Sequence, residues 1–538
     1  MQESKKQNFL KGAAILAAAS IFVKVIGAVY KIPIQNILGD AGIGSFQTTY
    51  SVYTLILTIS TAGIPAALSR MVSSASASGE TRLVRRYFSV ALPAFIAIGI
   101  VAMLAMFLFA DTFSGLMNNS LAAPGIRVLA PAVFFVCIIS VYRGYAQGFE
   151  NMMPTAVSQI VEVISKAAFG IAAAFWLVRM GQEPHIVSAG AIMGVTVGLG
   201  LCVPLMVWYK RKIDHGMEIA GDPGGMHGRA NVLGRLMKVS IPITLSASFM
   251  SIMVVIDNSI VLGRLQSVHL MTELEALAQF GIYTKGLTIY NLPPALVVPV
   301  SISIIPAIAA ALARGSEREA GSVMQSSVKL VNLLAMPAGA GIMVLAGPIL
   351  TALYQDTRQI TATVLLIMGA ASFFVCLQYI TTAILQANGY ERVALLTIPI
   401  GATLKIALGY ILVGNLKIGI LGSPIGTLVC FIVISALNII FIIAKVKNRP
   451  KFSGIFVKPL LCSAVMACVA FFVYELVHRV GSGIIGSGRL AVSAYLATAI
   501  LLAVGVYAAL IIVTRTITIE DMKLVPKGEK LAKMLRIR

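Results

Sequence analysis

The stretch PTAVSQIVEVISKAAFGIAAAFWLV, Pro154–Val178, is apolar over enough residues to cross a membrane. A helix needs about 20 mostly apolar residues to span the hydrocarbon core of a bilayer. The same stretch nevertheless carries Gln159, Glu162 and Lys166. Charged side chains inside a membrane are costly, and they occur mainly where they face a bundle interior or a water-filled cavity. The stretch therefore predicts a membrane-spanning helix with one polar surface.

The whole chain has the composition of a polytopic membrane protein. Of its 538 residues 58% are hydrophobic and only 12% are charged, and the mean hydropathy is +0.90. These values exclude an ordinary soluble globular protein. Fourteen apolar runs predict an all-α fold with about 14 transmembrane helices. The runs are 12–38, 43–68, 87–110, 126–146, 154–178, 187–209, 239–263, 280–311, 329–353, 362–386, 393–413, 418–444, 459–478 and 490–514.

The formal net charge of +21 reflects membrane topology. Lys and Arg residues accumulate in cytoplasmic loops, and most of the 42 basic residues lie in segments that are inside if the N-terminus is cytoplasmic. Fourteen spans then place both termini in the cytoplasm. We expect a multi-pass protein of the cell membrane whose basic segments attract anionic lipid headgroups, and no nucleic-acid partner.

The chain divides into two similar halves. The sequence FFVC ends at Cys137 and recurs 239 positions later at Cys376, and the same shift superposes Lys166 on Lys405. Because each half has six spans, both halves enter the membrane in the same orientation. Such parallel repeats typically place a substrate site between the lobes, near the membrane midplane.

These features predict five segments. They are an N-terminal six-helix lobe (1–209), a cytoplasmic linker (210–238), a C-terminal six-helix lobe (239–446), appended transmembrane helices 13 and 14 (447–514), and a basic cytoplasmic tail (515–538).

Polar residues within or at the ends of the spans are the candidate substrate-binding residues. Basic residues outnumber acids there, which suits an anionic substrate, and lysine is a mobile point charge suited to phosphate. Glu162 and Lys166 are spaced as a helical ion pair. Arg143 and Lys285 lie nearer the ends of their spans, where snorkelling to the interface is the alternative. The candidates are Lys24, Lys31, Arg143, Gln147, Gln159, Glu162, Lys166, Lys285 and Lys405.

Asp257 is a candidate cation-binding residue. It is followed by Asn258 and either binds a cation, pairs with one of the lysines or lies near enough to the surface to be solvated. No phosphate-binding loop or HExxH motif occurs, and the six cysteines have neither disulfide nor metal spacing. We therefore expect no catalytic residues, no metal and no cofactor. The membrane potential or a cation gradient is the candidate energy source.

Two stretches carry a resemblance to a known family. They are RGYAQGFENMMPTAVSQIVEVISK, Arg143–Lys166, and GAVYKIPIQNILGDAGIGSFQTTYSVYTLILTISTAGIPAALSR, Gly27–Arg70. They resemble the polysaccharide-biosynthesis transporters of the stage V sporulation protein B group, within which the Gram-positive lipid II flippases are most similar. This group belongs to the multidrug, oligosaccharidyl-lipid and polysaccharide exporter superfamily.

The resemblance implies two V-shaped lobes, alternating access, and flipping of an undecaprenyl-pyrophosphate-linked cell-wall precursor such as lipid II from the inner to the outer leaflet. It also implies membrane lipids and cell-wall synthesis proteins as partners, and roles in peptidoglycan biosynthesis, cell shape or sporulation. Related flippases carry two arginines around a glycine in the first helix. Here Lys24 and Gly27 fit that pattern, whereas Tyr30 stands at the second arginine position and is followed by Lys31.

Three alternatives remain open from the sequence. A multidrug or cation antiporter of the same fold would favour acids in its cavity. A membrane glycosyltransferase or polymerase would carry substantial catalytic loops. A scaffold for a wall-synthesis complex would tolerate the loss of Lys166 and Lys405.

Overall fold

The computed structural model describes residues 2–215, 228–450, 452–483, 486, 488–514 and 516, and every regular element among them is helical. Part of the predicted linker, 216–227, and nearly all of the predicted tail lie outside the described residues. The helices are α1 (Gln2–Thr61), α2 (Ile64–Ala77), α3 (Thr81–Leu108), α4 (Ala110–Leu116), α5 (Ala123–Gly148), α6 (Met153–Arg179), α7 (Pro184–His215), α8 (Arg229–Val268), α9 (Glu273–Tyr290), α10 (Leu292–Ala313), α11 (Glu317–Val344), α12 (Ala346–Tyr354), α13 (Gln359–Ala387), α14 (Glu391–Val413), α15 (Gly422–Lys445), α16 (Phe452–Ser482) and α17 (Arg489–Val513), with 3₁₀ turns at Ser120–Ala122 and Gly419–Leu421.

The helices confirm the predicted fold of about fourteen membrane spans. Thirteen helical segments of the described chain are long and apolar enough to cross a membrane. The first, Phe22–Ala77, has 56 residues and contains the non-helical Gly39, whose φ is 66°. At 1.5 Å per residue this segment is about 84 Å long, enough for two crossings of a core about 30 Å thick. Gly39 adopts a positive φ at little steric cost and separates the first two predicted spans.

The chain forms two compact units, Met1–Gly281 (unit 1) and Ile282–Arg538 (unit 2). In unit 1, α7 packs against α5 and α6, and α3 packs against α5. In unit 2, α15 packs against α13 and α14, and α11 packs against α13. The same order of helix contacts thus occurs in both units. The lobe boundaries and the site between lobes stay predictions.

Helix α8 joins unit 1 through polar contacts with α1 and with the turn before α2. On α8 the bonding residues recur every seven residues, so they lie on one face of that helix. The bonded pairs are Asn258 and Ser51 at 2.7 Å, Ser251 and Thr58 at 3.1 Å, and the backbone nitrogen of Gly63 with Thr244 at 3.2 Å.

Glycines allow the first half of α9 to approach α1 closely. A Cβ at Gly44 would lie 2.2 Å from the carbonyl oxygen of Leu277, and one at Gly281 would lie 2.0 Å from that of Asp40. No real Cβ tolerates these distances. The two glycines are therefore required by the backbone contact, a common use of small residues in membrane helix packing.

Candidate functional site

Three polar residues of α6 occur at intervals of four, Ser158, Glu162 and Lys166, and so lie on one face of the helix. Helix α7 packs closely behind this part of α6. A Cβ at Gly194 would lie 2.6 Å from the carbonyl oxygen of Lys166, and one at Gly198 would lie 3.0 Å from that of Glu162. The close packing fixes the backbone that carries the polar face.

Arg143 of α5 reaches across to this face. Its Nε donates to Oγ of Ser158 at 2.9 Å, and its Nη2 lies 3.2 Å from Oε2 of Glu162. The side chains of Arg143 and Glu162 are only 15% and 33% exposed. The predicted pair between Glu162 and Lys166 is therefore wrong, because the guanidinium fork of a neighbouring helix takes the carboxylate.

Lys166 is held by aromatic rings instead. Its Nζ lies 4.7 Å from the ring centroid of Tyr50 and 5.7 Å from that of Tyr30. Among the described residues it has no carboxylate partner. A cation over an aromatic face gains about 0.5 to 2 kcal/mol, so the two rings stabilise the ammonium group without an ion pair.

Lys31 belongs to the same group of cations. It lies half-buried on α1 and its charge interacts unfavourably with that of Lys166. The preceding residue, Tyr30, is buried, and its hydroxyl has no hydrogen-bond partner among the described residues. Tyr30 packs beside Gly170, where a Cβ would lie 3.0 Å from the hydroxyl oxygen. This chain thus uses Tyr30 for packing and Lys31 for charge.

The two candidate glutamines differ in their contacts. Nε2 of Gln147 donates to Oγ1 of Thr155 at 3.2 Å, which links α5 to the start of α6. Oε1 of Gln159 is buried and accepts no hydrogen bond within the part of the chain that the structure describes. Lys24, seven residues before Lys31, is exposed, so the two lysines do not share one environment.

In unit 2, Lys285 is neutralised. Its Nζ lies 2.8 Å from Oδ2 of Asp356, and the two side chains are 7% and 3% exposed. Arg358 and Thr361 donate to the same carboxylate. Burial opposes ionisation of Asp356, but the hydrogen bonds from Arg358 and Lys285 lower its pKa below the ordinary value. This arrangement stabilises the fold and occupies the charge that the sequence assigns to a substrate.

Two candidates remain, one in each unit. Lys405 is half-buried on α14 of unit 2, and Asp257 is buried on α8 of unit 1 beside Asn258. The substrate role of Lys405 and the cation-binding role of Asp257 stay predictions.

We call Lys31, Arg143, Glu162 and Lys166 the unit 1 cluster. Arg143 and Glu162 cancel each other's charge, so Lys31 and Lys166 leave two positive charges. Neither is fully buried. Two nearby ammonium groups repel each other unless an anion lies between them. The cluster is therefore suited to a ligand with more than one negative charge, such as a pyrophosphate.

Sequence reasoning missed the aromatic residues and one acid. Tyr30 and Tyr50 lie on opposite sides of the break at Gly39, so no single helical period relates them. Asp356 follows α12 and is separated by 71 residues from Lys285. The sequence indicates Asp356 as a partner of Lys285 only through its place just after a predicted span.

Comparison with known proteins gives consistent matches over most of the chain. Residues 9–312 match the family described as polysaccharide biosynthesis protein. Three Bacillus subtilis (strain 168) proteins are similar. The uncharacterised membrane protein YabM is 25% identical over 99% of this chain and 98% of its own length. The lipid II flippase MurJ is 26% identical over 74% and 76%, and stage V sporulation protein B is 24% identical over 88% and 93%.

Two solved structures share the fold. A lipid II flippase MurJ in an inward closed conformation has a TM-score of 0.69 at 14% identity, covering 92% of this chain and 98% of that chain. A multidrug resistance MATE family transporter in an inward-facing conformation has a TM-score of 0.60 at 15% identity, covering 79% and 97%. The predicted superfamily fold is thus confirmed.

Proposed function

The chain belongs to the polysaccharide biosynthesis protein family, and from that premise we propose that it is a flippase. Its substrate would be an undecaprenyl-pyrophosphate-linked cell-wall precursor, lipid II, which moves from the inner to the outer leaflet. The relatives named as a lipid II flippase and as a sporulation protein support this substrate class, and the fold shared with transporters supports translocation.

The observation that carries the proposal is the charge of the unit 1 cluster. Lys166 lies within a membrane-spanning helix, has its ammonium group over the rings of Tyr50 and Tyr30, and is close enough to Lys31 for the charges to interact. A membrane protein keeps such charges mainly for substrates, ions or partners inside the bundle. A pyrophosphate would relieve their repulsion.

Lysine also suits a site that must release its ligand. An ammonium group binds phosphate as a point charge and lacks the rigid bidentate geometry of arginine. In the unit 1 cluster the arginine, Arg143, is bound to Glu162, and the two lysines are left to contact the substrate. Moderate binding favours turnover.

The membrane potential is the proposed energy source. With the inside negative, outward movement of an anion is favoured by about 2.3 kcal/mol per charge per 100 mV. This driving force requires no acid-based proton relay. A cation gradient acting through Asp257 is the alternative coupling.

Reconstitution in liposomes tests the proposal. The purified protein is offered fluorescent lipid II, a lipid-linked pyrophosphate with a different sugar, or a labelled phosphatidylcholine, and outer-leaflet exposure is followed with and without an imposed potential. We expect the pyrophosphate-linked lipids to move, faster with a potential that favours anion exit, and phosphatidylcholine to stay. Failure to move any pyrophosphate-linked lipid, together with efflux of a cationic dye, would favour the antiporter.

A further inference from the structure

A second group of cations lies near the ends of three membrane-spanning helices of unit 1. Here α3 begins and α5 and α7 end, so the group is placed at the boundary between hydrocarbon and water. We call Arg85, Tyr145, Lys210, Arg211 and Asp214 the end cluster. None of these residues belongs to the unit 1 cluster.

Both carboxylate oxygens of Asp214, the one acid of the end cluster, have partners. Oδ1 of Asp214 accepts from the hydroxyl of Tyr145 at 2.8 Å, and Oδ2 lies 2.5 Å from Nζ of Lys210. Lys210 also lies 4.7 Å from the ring centroid of Phe88. Both carboxylate oxygens are therefore occupied.

Arg85 has no partner among the described residues. The described residues give it neither a hydrogen bond nor an ion pair, and its Nε is shielded from solvent. Arg85 and Asp214 both act electrostatically on Tyr145, so Arg85 lies near the acid but does not bond to it. A shielded donor on a charged group costs free energy unless an acceptor is supplied.

The position of Arg85 in its helix offers no interaction that would compensate for the missing partner. Lys210 on α7 is paired with Asp214, and Arg211 is exposed to solvent. Arg85 lies in the second turn of α3, where a cation gains nothing from the dipole and no acid occupies the first turn. An ion pair accounts for Lys210 and solvation accounts for Arg211, whereas neither these nor the helix dipole accounts for Arg85.

Buried aromatic rings form an apolar surface beside these charges. Phe88 contacts Tyr142 and Tyr145 edge to face, with ring centroids 5.1 and 5.0 Å apart. All three rings are buried. An apolar surface of low dielectric constant strengthens the attraction between the cations and an anion that contacts it.

From this geometry we propose that the end cluster binds a phosphate group, with the headgroup phosphate of an anionic membrane lipid as the favoured source. Three cations and one acid leave two positive charges. The guanidinium fork of Arg85 supplies directed donors to phosphate oxygens, and Arg211 adds a second charge. The placement at the ends of three spans coincides with the depth of lipid phosphates. The proposal stands independently of the flippase proposal.

Lipid binding to purified full-length protein in detergent micelles tests the site. Thermal unfolding and native mass spectrometry are used to titrate phosphatidylglycerol, and inorganic phosphate serves as competitor, with chloride at equal ionic strength as its control. We expect Arg85→Gln to weaken phosphatidylglycerol binding by about tenfold, the scale of a charged hydrogen bond. Competition by inorganic phosphate would assign recognition to phosphate alone, and lack of competition would assign it to the lipid headgroup.

Two further variants keep the test decisive. Lys212→Gln removes one charge from the same end of α7, where Lys212 lies over Trp208 outside the end cluster, and should change binding less than twofold. Arg85→Lys keeps the positive charge but lacks the shielded Nε donor, so we expect it to bind phosphatidylglycerol weakly. This variant provides the test if Arg85→Gln folds poorly. Equal losses in Arg85→Gln and Lys212→Gln, or full binding by Arg85→Lys, would reduce the site to non-specific surface charge and overturn the proposal.

Discussion

Nζ of Lys166 lies 4.7 Å from the ring centroid of Tyr50, and this contact positions the central cation of the unit 1 cluster. The ring faces the ammonium group and brings no counter-charge. Tyr50→Phe keeps the aromatic face, whereas Tyr50→Leu removes it. We expect Tyr50→Phe to retain most translocation in liposomes and Tyr50→Leu to lower its rate about three- to tenfold, the scale of a cation–π contact. Equal rates for the two variants would contradict a positioning role for the ring.

The pair formed by Arg143 and Glu162 should behave as a coupled unit. Glu162→Gln leaves the half-buried guanidinium without its counter-charge, so we expect a lower unfolding temperature. Because Glu162 is partly exposed, the coupling energy should be about 1 kcal/mol, smaller than for a buried pair. A double-mutant cycle with Arg143→Gln, measured by thermal unfolding in detergent, checks it. Strictly additive effects would show that the contact contributes nothing.

The lowered pKa of Asp356 predicts that the stability of unit 2 depends on pH. Its pKa is lowered in the folded state from about 3.9 in an unfolded chain. The stabilisation is therefore fully present above about pH 4 and is lost as the pH falls toward the folded-state pKa. The unfolding temperature of the wild type should fall on acidification more steeply than that of Asp356→Asn.

At neutral pH, Asp356→Asn should cost about 3 kcal/mol, because Lys285 loses a buried counter-charge. Asp111→Asn is the matched control, since Asp111 pairs with Arg127 at a side chain that is 72% exposed, and exposed pairs contribute little. Equal losses in the two variants would show that burial of the Lys285 and Asp356 pair is unimportant.

Close packing of α1 and α9 predicts sharp limits on substitution. A methyl group at Gly44 would meet the backbone of Leu277, so Gly44→Ala should destabilise the protein by about 2 kcal/mol or more. Gly234→Ala on α8 meets nothing within 4 Å and should be neutral or stabilising by up to about 1 kcal/mol. Thermal unfolding compares the two. A stable Gly44→Ala protein would contradict the observed helix contact.

The sequence predicts the helices well because hydrophobic length and charge are local properties. The break at Gly39 and the polar face of α6 both follow from residues within a few helical turns. Partners across helices do not follow in this way. Glu162 has a suitably spaced lysine four residues away, yet it forms its ion pair with Arg143 on another helix. Lys285 is paired with a carboxylate 71 residues distant, which no spacing rule identifies.

The most direct test of the central claim is the translocation rate of Lys166→Met in liposomes containing fluorescent lipid II. The account predicts a loss of about tenfold or more, because the substrate pyrophosphate loses a charged contact, while Lys417→Met, which removes an exposed loop cation, remains near the wild-type rate. Wild-type translocation by a folded Lys166→Met protein would contradict the account.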